Sequence, residues 1–187
     1  MHARLYIYVA PSAPSKSVIL RRTDGKKMEW EMIRWDIDTD TFTAGQWLRK
    51  KCIFANSAAI SPDGLHFAYQ YFSVINGWDC HAVVSRVPNF TAVYHAKSAA
   101  KWDGLTFSED GAVIWHSVSS EPMEPRGDGA RPPLAPSSTQ SAPTGYQIAD
   151  FTDSRGRHIT TKDGVLFADS IAIYDTTGHT FEARAVI

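Results

Sequence analysis

The sequence predicts an all-β protein, and three observations support this fold class. Short runs rich in β-branched and aromatic residues alternate with turn signals along most of the chain. No stretch keeps a helical apolar period over several turns, so we expect little helix. A phrase built around Asp-Gly recurs in Ile60–Ala68 (ISPDGLHFA), Phe107–Trp115 (FSEDGAVIW) and Thr160–Ala168 (TTKDGVLFA).

The predicted strands follow from these residue preferences, taken in chain order. Before residue 119 they are Leu5–Val9, Ser17–Arg22, Met28–Trp35, Thr41–Trp47, Ile53–Ile60, His66–Phe72, His81–Val87, Phe90–Ala96, Leu105–Ser108 and Ala112–Val118. After residue 145 they are Tyr146–Phe151, Arg157–Thr160, Val165–Ala168, Ser170–Tyr174 and Thr180–Val186. The last strand reaches the end of the sequence, and a terminal strand of this kind usually closes a sheet begun elsewhere.

The turns between the strands are predicted from Asp-Gly pairs. Glycine has no Cβ and tolerates the positive φ angle that a tight hairpin turn needs. Pro62 also presets φ at the leading corner of one turn. The pairs are Asp24-Gly25, Asp63-Gly64, Asp103-Gly104, Asp110-Gly111 and Asp163-Gly164. Their number in a short chain favours an antiparallel meander.

The stretch Ser119–Gly145 is rich in proline and serine and interrupts this pattern. It holds most of the chain's ten prolines and few large hydrophobic residues. Such a stretch cannot bury enough apolar area to offset the entropy of ordering it. We therefore predict a disordered loop at residues 119–145 within a single domain that spans residues 1–187.

The spacing of strands and turns predicts a small β-propeller-like repeat of antiparallel four-stranded sheets. A period of about forty residues with four strands per unit is typical of propeller blades. Trp35, Trp47 and Trp115 fall on inward-facing positions and are predicted to pack one blade on the next. The units are Leu5–Cys52, Ile53–Lys97, Ala99–Ala149 and a remainder to Ile187 that an N-terminal strand could complete. A β-sandwich or an irregular barrel is the alternative.

The composition is ordinary for a soluble globular protein, with 43% hydrophobic and 21% charged residues in a chain of 187. A formal net charge of −1 argues against duplex DNA or an anionic membrane surface as a partner. The apolar run Leu5–Ala10 is too short for a signal-peptide core, and no window approaches the length of a transmembrane helix. Cys52 and Cys80 are too few for a disulfide framework. We expect a cytoplasmic protein without a cofactor.

Two groups of residues invite a metal-site interpretation that their spacing does not favour. Asp36, Asp38 and Asp40 alternate like calcium ligands, but the glycine and the bidentate glutamate of a calcium loop are missing. An Asx-type turn, in which Asp side chains accept hydrogen bonds from backbone amides, is the simpler prediction. Cys80 and His81 are neighbours in a predicted strand, so they point to opposite faces and do not ligate one ion easily.

Four segments stand in order between Ile33 and Phe107, namely IRWDIDTDTFTAGQWL, ISPDGLHFAY, HAVVSRVPNFTAVYH and KWDGLTF. They resemble a family of uncharacterised bacterial proteins that carry Phe-x-x-Gly-Gln-Trp, Ser-Pro-Asp-Gly and Ser-Arg-x-Pro-x-Phe-Thr-Ala motifs. The family often has glycine-rich residues after the Trp, where this chain has only Asp103-Gly104. It also has a basic-acidic run before the Ser-Pro-Asp-Gly turn, where this chain has CIFANSAA. The resemblance implies a propeller-like fold and supplies no activity and no catalytic residues.

Five residues are the candidates for a binding site: Trp78, Arg86, His66, His95 and Asp103. Trp78 lies in a predicted loop, where a large aromatic side chain suits a binding hot spot. Arg86 can hold a carboxylate or a phosphate through two parallel hydrogen bonds. The chain has no nucleophile elbow and no glycine-rich phosphate loop.

Two functions remain open on this basis, besides the weaker option of a purely structural role as one domain of a larger assembly. The favoured one is a non-catalytic protein-binding module that docks a partner through its loop-bearing face, because loops on a rigid scaffold commonly carry recognition. The alternative is an enzyme or small-ligand binder whose site lies in a central funnel. This alternative requires that the polar candidate residues converge in one deep pocket. Separately, we predict no metal site.

Overall fold

The computed structural model describes residues 3–24, 28–73, 79–98, 104–116, 122–128, 130–135 and 150–181. Within these residues the protein is all-β, which confirms the predicted class. The sole helical segment in these ranges is one 3-10 turn at Ala55–Ser57. It divides the predicted strand Ile53–Ile60 into two short strands. The described residues include no helix with the length and apolar character needed to cross a membrane.

The strands have the following bounds. The first nine are β1 Ala3–Ala10, β2 Ala13–Thr23, β3 Glu29–Asp36, β4 Thr41–Arg49, β5 Lys51–Ile53, β6 Ala59–Ile60, β7 His66–Ser73, β8 Asp79–Arg86 and β9 Ala92–Ser98. The others are β10 Gly104–Phe107, β11 Val113–His116, β12 Glu124–Pro125, β13 Asp150–Thr152, β14 His158–Lys162, β15 Val165–Ala168 and β16 Ile171–Asp175.

These strands form three sheets and a separate hairpin. The N-terminal sheet has the order β1-β2-β3-β4, and the C-terminal sheet has the order β13-β14-β15-β16. The central sheet has the order β12-β9-β8-β7-β5, with β6 also paired to β7. Strands β10 and β11 make the hairpin. All these pairs are antiparallel, so the prediction of antiparallel four-stranded sheets is confirmed for the N-terminal and C-terminal sheets.

The sheets stack face to face, because both faces of the N-terminal sheet are apolar. On β2, Val18 and Leu20 belong to a core shared with the central sheet. Ile19 lies between them and points to the other face, into a core shared with the C-terminal sheet. A third core, which includes Ala82 and Leu105, joins the central sheet to the β10–β11 hairpin. The order of the stack is therefore C-terminal sheet, N-terminal sheet, central sheet, hairpin.

Two details of the predicted units are wrong. Strand β12 joins the central sheet, with Glu124 opposite His95 and Pro125 opposite Tyr94, and does not extend the third unit. The C-terminal sheet is complete with its own four strands, and within the described residues β1 pairs with β2 alone. Strand β12 pairs with β9 because β9 would otherwise be an edge strand with unpaired backbone N–H and C=O groups. A short extended segment can form hydrogen bonds with these groups.

The structure describes residues 122–128 and 130–135 of the stretch 119–145. Met123 is buried in the third core, and the amide of Ala135 donates a hydrogen bond to the carbonyl of Val113 over 2.8 Å. The remainder of this stretch lies outside the described residues. Disorder of the stretch as a whole stays a prediction.

The tryptophans that were predicted to pack the units together differ in burial. Trp35 and Trp115 are buried, as predicted, at 0% and 3% exposure. The prediction for Trp47 is wrong, because its ring is half-buried at the sheet edge, 5.9 Å from the ring of Phe181. Strand β4 is an edge strand, so its side chains cover the rim of the core. Trp30 is fully buried instead, and its Nε1 donates to the carbonyl of Lys51 over 3.1 Å.

The aspartate run at the β3–β4 turn has two separate structural roles. Asp36 accepts hydrogen bonds from the amides of Asp38 and Thr39, which confirms the predicted Asx-type turn. Asp40 instead accepts two hydrogen bonds from the Arg157 guanidinium, at 2.6 and 2.9 Å. Because Arg157 lies in the turn between β13 and β14 of the C-terminal sheet, this ion pair attaches that sheet to the N-terminal one.

The Asp40 ion pair predicts an acid-sensitive contribution to stability. Hydrogen bonds from Arg157, reinforced by one from Trp35, lower the pKa of Asp40 below its usual 3.8 although burial acts in the opposite direction. A carboxyl group whose pKa is depressed in the folded state stabilises the fold above its unfolded pKa. This contribution is lost as the pH falls through the folded pKa.

We therefore expect the free energy of unfolding to fall more steeply between neutral and strongly acidic pH in the wild type than in Asp40→Asn. Urea titrations of both proteins across this range measure the two slopes. The other carboxylates are present in both proteins, so their contributions to the pH dependence of stability cancel in the comparison. If the free energy of unfolding depended on pH in the same way in both proteins, the Asp40–Arg157 ion pair would not contribute the predicted acid-sensitive stability.

Candidate functional site

The structure brings two of the five predicted site residues together. His66 and Arg86 are directly opposite each other on β7 and β8, and their side chains share one face of the central sheet. His95 is opposite Val83, which belongs to the other face, so it lies away from that pair. Trp78 and Asp103 lie outside the described residues. Within the described residues, no three of the polar candidates meet.

His66 and Arg86 have a structural environment in this fold. Arg86 donates from Nε and Nη2 to the carbonyl of Ala130, over 3.3 and 3.0 Å. This pair of hydrogen bonds holds segment 130–135 against the central sheet. Burial lowers the pKa of His66, although the Ala130 carbonyl and Asp63 act in the opposite direction. The chain itself therefore engages the guanidinium through these two nitrogens.

Two of the motifs behind the family resemblance contact each other. In the first motif, Gln46 accepts hydrogen bonds through Oε1 from the amides of Phe90 and Thr91, at 2.7 and 3.1 Å. The Gln46 amide donates to the carbonyl of Pro88 over 3.0 Å. Gly45 beside it lies so close to Pro88 that a Cβ atom there would stand 1.9 Å from that carbonyl oxygen. These motifs therefore join the N-terminal and central sheets.

Two of the three recurring Asp-Gly phrases form the same turn. In the first, Ser61 donates through Oγ to Asp63, which also accepts from the amide of Leu65, while the Gly64 amide donates to the Ser61 carbonyl. In the second turn the same three hydrogen bonds recur at Ser108, Asp110, Ala112 and Gly111. Both glycines have a positive φ, 74° and 86°. The repetition in the sequence is therefore a repetition of local structure.

The third phrase forms a different turn. Lys162 and Val165 are paired directly, so Asp163 and Gly164 alone connect β14 to β15. Both connecting residues have a positive φ, 51° and 88°, as a two-residue hairpin turn requires. The third phrase therefore differs in local structure from the other two, because strand pairing resumes immediately after its glycine.

The two matching turns meet the β1–β2 turn at one end of the stack, and we call this region the turn surface. The Ser12 amide donates to the Pro62 carbonyl over 3.1 Å, and the Lys16 amine donates to the Asp63 carbonyl over 3.1 Å. Leu65 follows the first of these matching turns and is 52% exposed. The turn surface encloses an open groove of about 380 Å³, lined by Ser12, Ala13, Lys16, Pro62, Asp63, Glu109, Asp110 and Gly111.

Two carboxylates of the turn surface, those of Asp63 and Asp110, are held by hydrogen bonds and are ionised at neutral pH. Burial raises the pKa of Asp63, but hydrogen bonds from Ser61 and Leu65 outweigh it and leave this pKa below its usual value. The hydrogen bond from Ser108 lowers the pKa of Asp110. With Glu109 on the same rim, three carboxylates stand against the single amine of Lys16, so the groove has a negative character.

A second cluster of side chains lies on the central sheet. Its members are only half-buried. His81 stacks on Tyr71 with ring centroids 4.8 Å apart, and His95 Nε2 lies 3.1 Å from His81 Nδ1. The Lys51 amine is 4.8 Å from the centroid of Tyr71. We call the cluster of Lys51, Tyr71, His81 and His95 the imidazole row. Sequence reasoning named His95 and missed His81, because their contact depends on the register of β8 against β9.

Comparisons with protein families, with curated proteins and with solved structures gave no match. The resemblance drawn from the motifs therefore stays a prediction.

Proposed function

We propose that this protein is a non-catalytic protein-binding module that docks a partner at the turn surface. The observation that supports the proposal is the convergence of turns from three successive layers on one groove. A recognition surface on rigid β elements needs this kind of preorganised scaffold. The exposed side chain of Leu65 beside charged rim residues provides an apolar anchor with a polar surround, which is the usual composition of an interface.

The placement of the polar candidates supports this function over the enzymatic alternative. An active site in a funnel requires several titratable side chains in one deep pocket. Of the described candidates, His66 and Arg86 meet, and Arg86 is engaged by the carbonyl of Ala130. His95 faces another part of the molecule. The docking hypothesis needs none of these residues to converge.

We further propose that the stacked sheets are the blades of a propeller-like arrangement. The meander order within the N-terminal and C-terminal sheets and their face-to-face packing support it. We also propose membership of the bacterial family that the motifs resemble, and a cytoplasmic location. Cys52 and Cys80 are not joined in a disulfide, which suits a reducing compartment.

Leu65→Glu tests the docking proposal. A charge in place of an apolar side chain that a partner covers removes apolar contact and leaves a carboxylate to be desolvated, so we expect partner affinity to fall by about tenfold or more. The side chain is half-exposed in the free protein, so folding should be retained. Affinity purification from the native host identifies the partner, and calorimetry with the purified partner then measures the dissociation constant.

Ile171→Glu is the matched control. Ile171 is also a large exposed hydrophobic residue, at 69% exposure, but it lies on β16 of the C-terminal sheet and not on the turn surface. We expect this variant to bind its partner as the wild type does. A partner that both variants retain, or that both lose equally, would rule out docking at the turn surface.

A further inference from the structure

Basic and imidazole side chains from neighbouring strands share one face of the central sheet. His81 is opposite Lys97 in the pairing of β8 with β9, and His95 is two residues from Lys97, so the three side chains lie on the same face. Glu124 of β12 is opposite His95 and joins them there. The two rings are in contact, since His95 Nε2 is 3.1 Å from His81 Nδ1.

This face borders an open cavity of about 270 Å³ between β9 and the residues around β12. The volume is below the roughly 300–1,000 Å³ that is usual for pockets that take drug-sized ligands, so it suits an ion or a very small molecule. The lining residues are His95, Ala96, Lys97, Pro122, Glu124 and Arg126.

Positive charge exceeds negative charge around the cavity. Among the described residues here, Lys51, Lys97 and Arg126 stand against Asp79 and Glu124. The Lys97 amine is 2.9 Å from Asp79, and the Arg126 guanidinium is 3.1 Å from Glu124. Both cations are more than half-exposed, and ion pairs at the surface contribute little energy. The two cations can therefore exchange these partners for a dissolved anion.

The two rings are kept neutral by burial and by this excess of positive charge. Burial lowers the pKa of both His81 and His95. The neighbouring cations lower these pKa values further, and the acids act in the opposite direction. The titratable and charged groups on the elements packed here are Lys51, Tyr71, Asp79, Lys97, Glu124, Arg126 and, from the N-terminal sheet, Arg22 with its ion-pair partner Asp24.

The contact between the rings allows the pair to take up one proton. In the neutral pair, one ring donates its N–H to the bare nitrogen of the other ring. A proton added to the remaining bare nitrogen of the donor ring makes it an imidazolium and leaves the hydrogen bond in place. A second proton would set two N–H groups against each other. An anion in the cavity favours the singly protonated pair, because an opposite charge nearby stabilises the charged form.

We propose that the cavity binds a small inorganic oxyanion such as sulfate or phosphate between His95, Lys97 and Arg126, and that the His81–His95 pair takes up one proton from solvent when the ion binds. Lys97 and Arg126 leave their surface ion pairs to contact the ion. The guanidinium suits this role, since its forked N–H groups match two oxygens of a tetrahedral oxyanion. The site is independent of the docking function proposed above.

The test titrates the full-length protein with sodium sulfate in chloride buffers of constant ionic strength, which separates binding from general screening. Sulfate remains a dianion between about pH 6 and about pH 8, so only the protein changes its charge. Coupled uptake of one proton strengthens binding by up to about tenfold for each pH unit of acidification. Imidazole ¹⁵N spectra follow the titration, and we expect the ring signals of His81 and His95 to shift.

Two variants separate the roles of the charges. Arg126→Gln removes the forked donor and one positive charge, so it should weaken sulfate binding by about fivefold or more at both pH values. His95→Gln removes the ring pair, so its sulfate affinity should no longer rise as the pH falls.

His158→Gln is the matched control. His158 is an exposed histidine, 3.4 Å from Asp150 on the C-terminal sheet, and its loss should leave the sulfate affinity and its pH dependence as in the wild type. Absence of sulfate binding by the wild type, undiminished binding by Arg126→Gln, or an unchanged pH dependence in His95→Gln would overturn the proposal.

Discussion

Gly45→Ala is expected to lower the free energy of unfolding by on the order of 3 kcal/mol, because a Cβ at this position has no space. The added atom would stand 1.9 Å from the carbonyl oxygen of Pro88 and 2.6 Å from the carbonyl oxygen of Met32. Both contacts are with backbone, so a side-chain rotation cannot relieve them. The strands must separate, and the hydrogen bonds that Gln46 makes to the 88–91 turn weaken with them.

Urea unfolding followed by tryptophan fluorescence measures this change. Gly178→Ala is the matched control, because an added Cβ there meets no atom within 4 Å and Gly178 does not need a positive φ. We expect the control to change stability by about 0.5 kcal/mol at most. A Gly45→Ala protein as stable as the control would show that the two motifs are not in tight contact.

Arg157→Met is expected to lower the free energy of unfolding by about 3 kcal/mol, since it leaves a buried carboxylate without its main partner. The Asp153 side chain is completely buried and lies 2.8 Å from the Arg157 guanidinium. The same guanidinium holds Asp40 of the β3–β4 turn. Its loss therefore affects both the turn before β14 and the attachment of the C-terminal sheet.

Arg126→Met removes an ion pair of the opposite kind and is the control. Arg126 and Glu124 are both more than half-exposed in their side chains, so their pairing contributes roughly 0–1 kcal/mol. Urea unfolding compares the two variants, and hydrogen exchange of the β13–β16 amides shows whether the C-terminal sheet loosens first. Equal stability of Arg157→Met and Arg126→Met would mean that the Asp40–Arg157–Asp153 network does not hold that sheet.

The turns were predictable from the sequence because they are local. Ser61 and Asp63 lie within one turn, and their side-chain hydrogen bonds in it join residues at most five positions apart. The same holds for the turn at Ser108. The Asx turn at Asp36 follows the same logic, since the aspartate accepts from amides two and three residues later.

The contacts between sheets were not predictable, since they depend on strands far apart in the chain. Nothing near Asp40 indicates that Arg157, more than a hundred residues later, will be its partner. The contact of His81 with His95 depends on a register that includes a bulge at Val84 and Ser85. The family motifs were visible as patterns, but their role in joining two sheets appears only when Gln46 and Phe90 are seen together.

The chain order of the stack has a consequence for synthesis on the ribosome. The N-terminal sheet is made first, yet the layer that covers Ile19 and Trp35 is made last. Until β13–β16 emerge, no later part of the chain packs on this apolar face of the N-terminal sheet. Domains that expose such surface while they are being translated are prone to aggregate. Any truncation before β13 would leave this liability permanent.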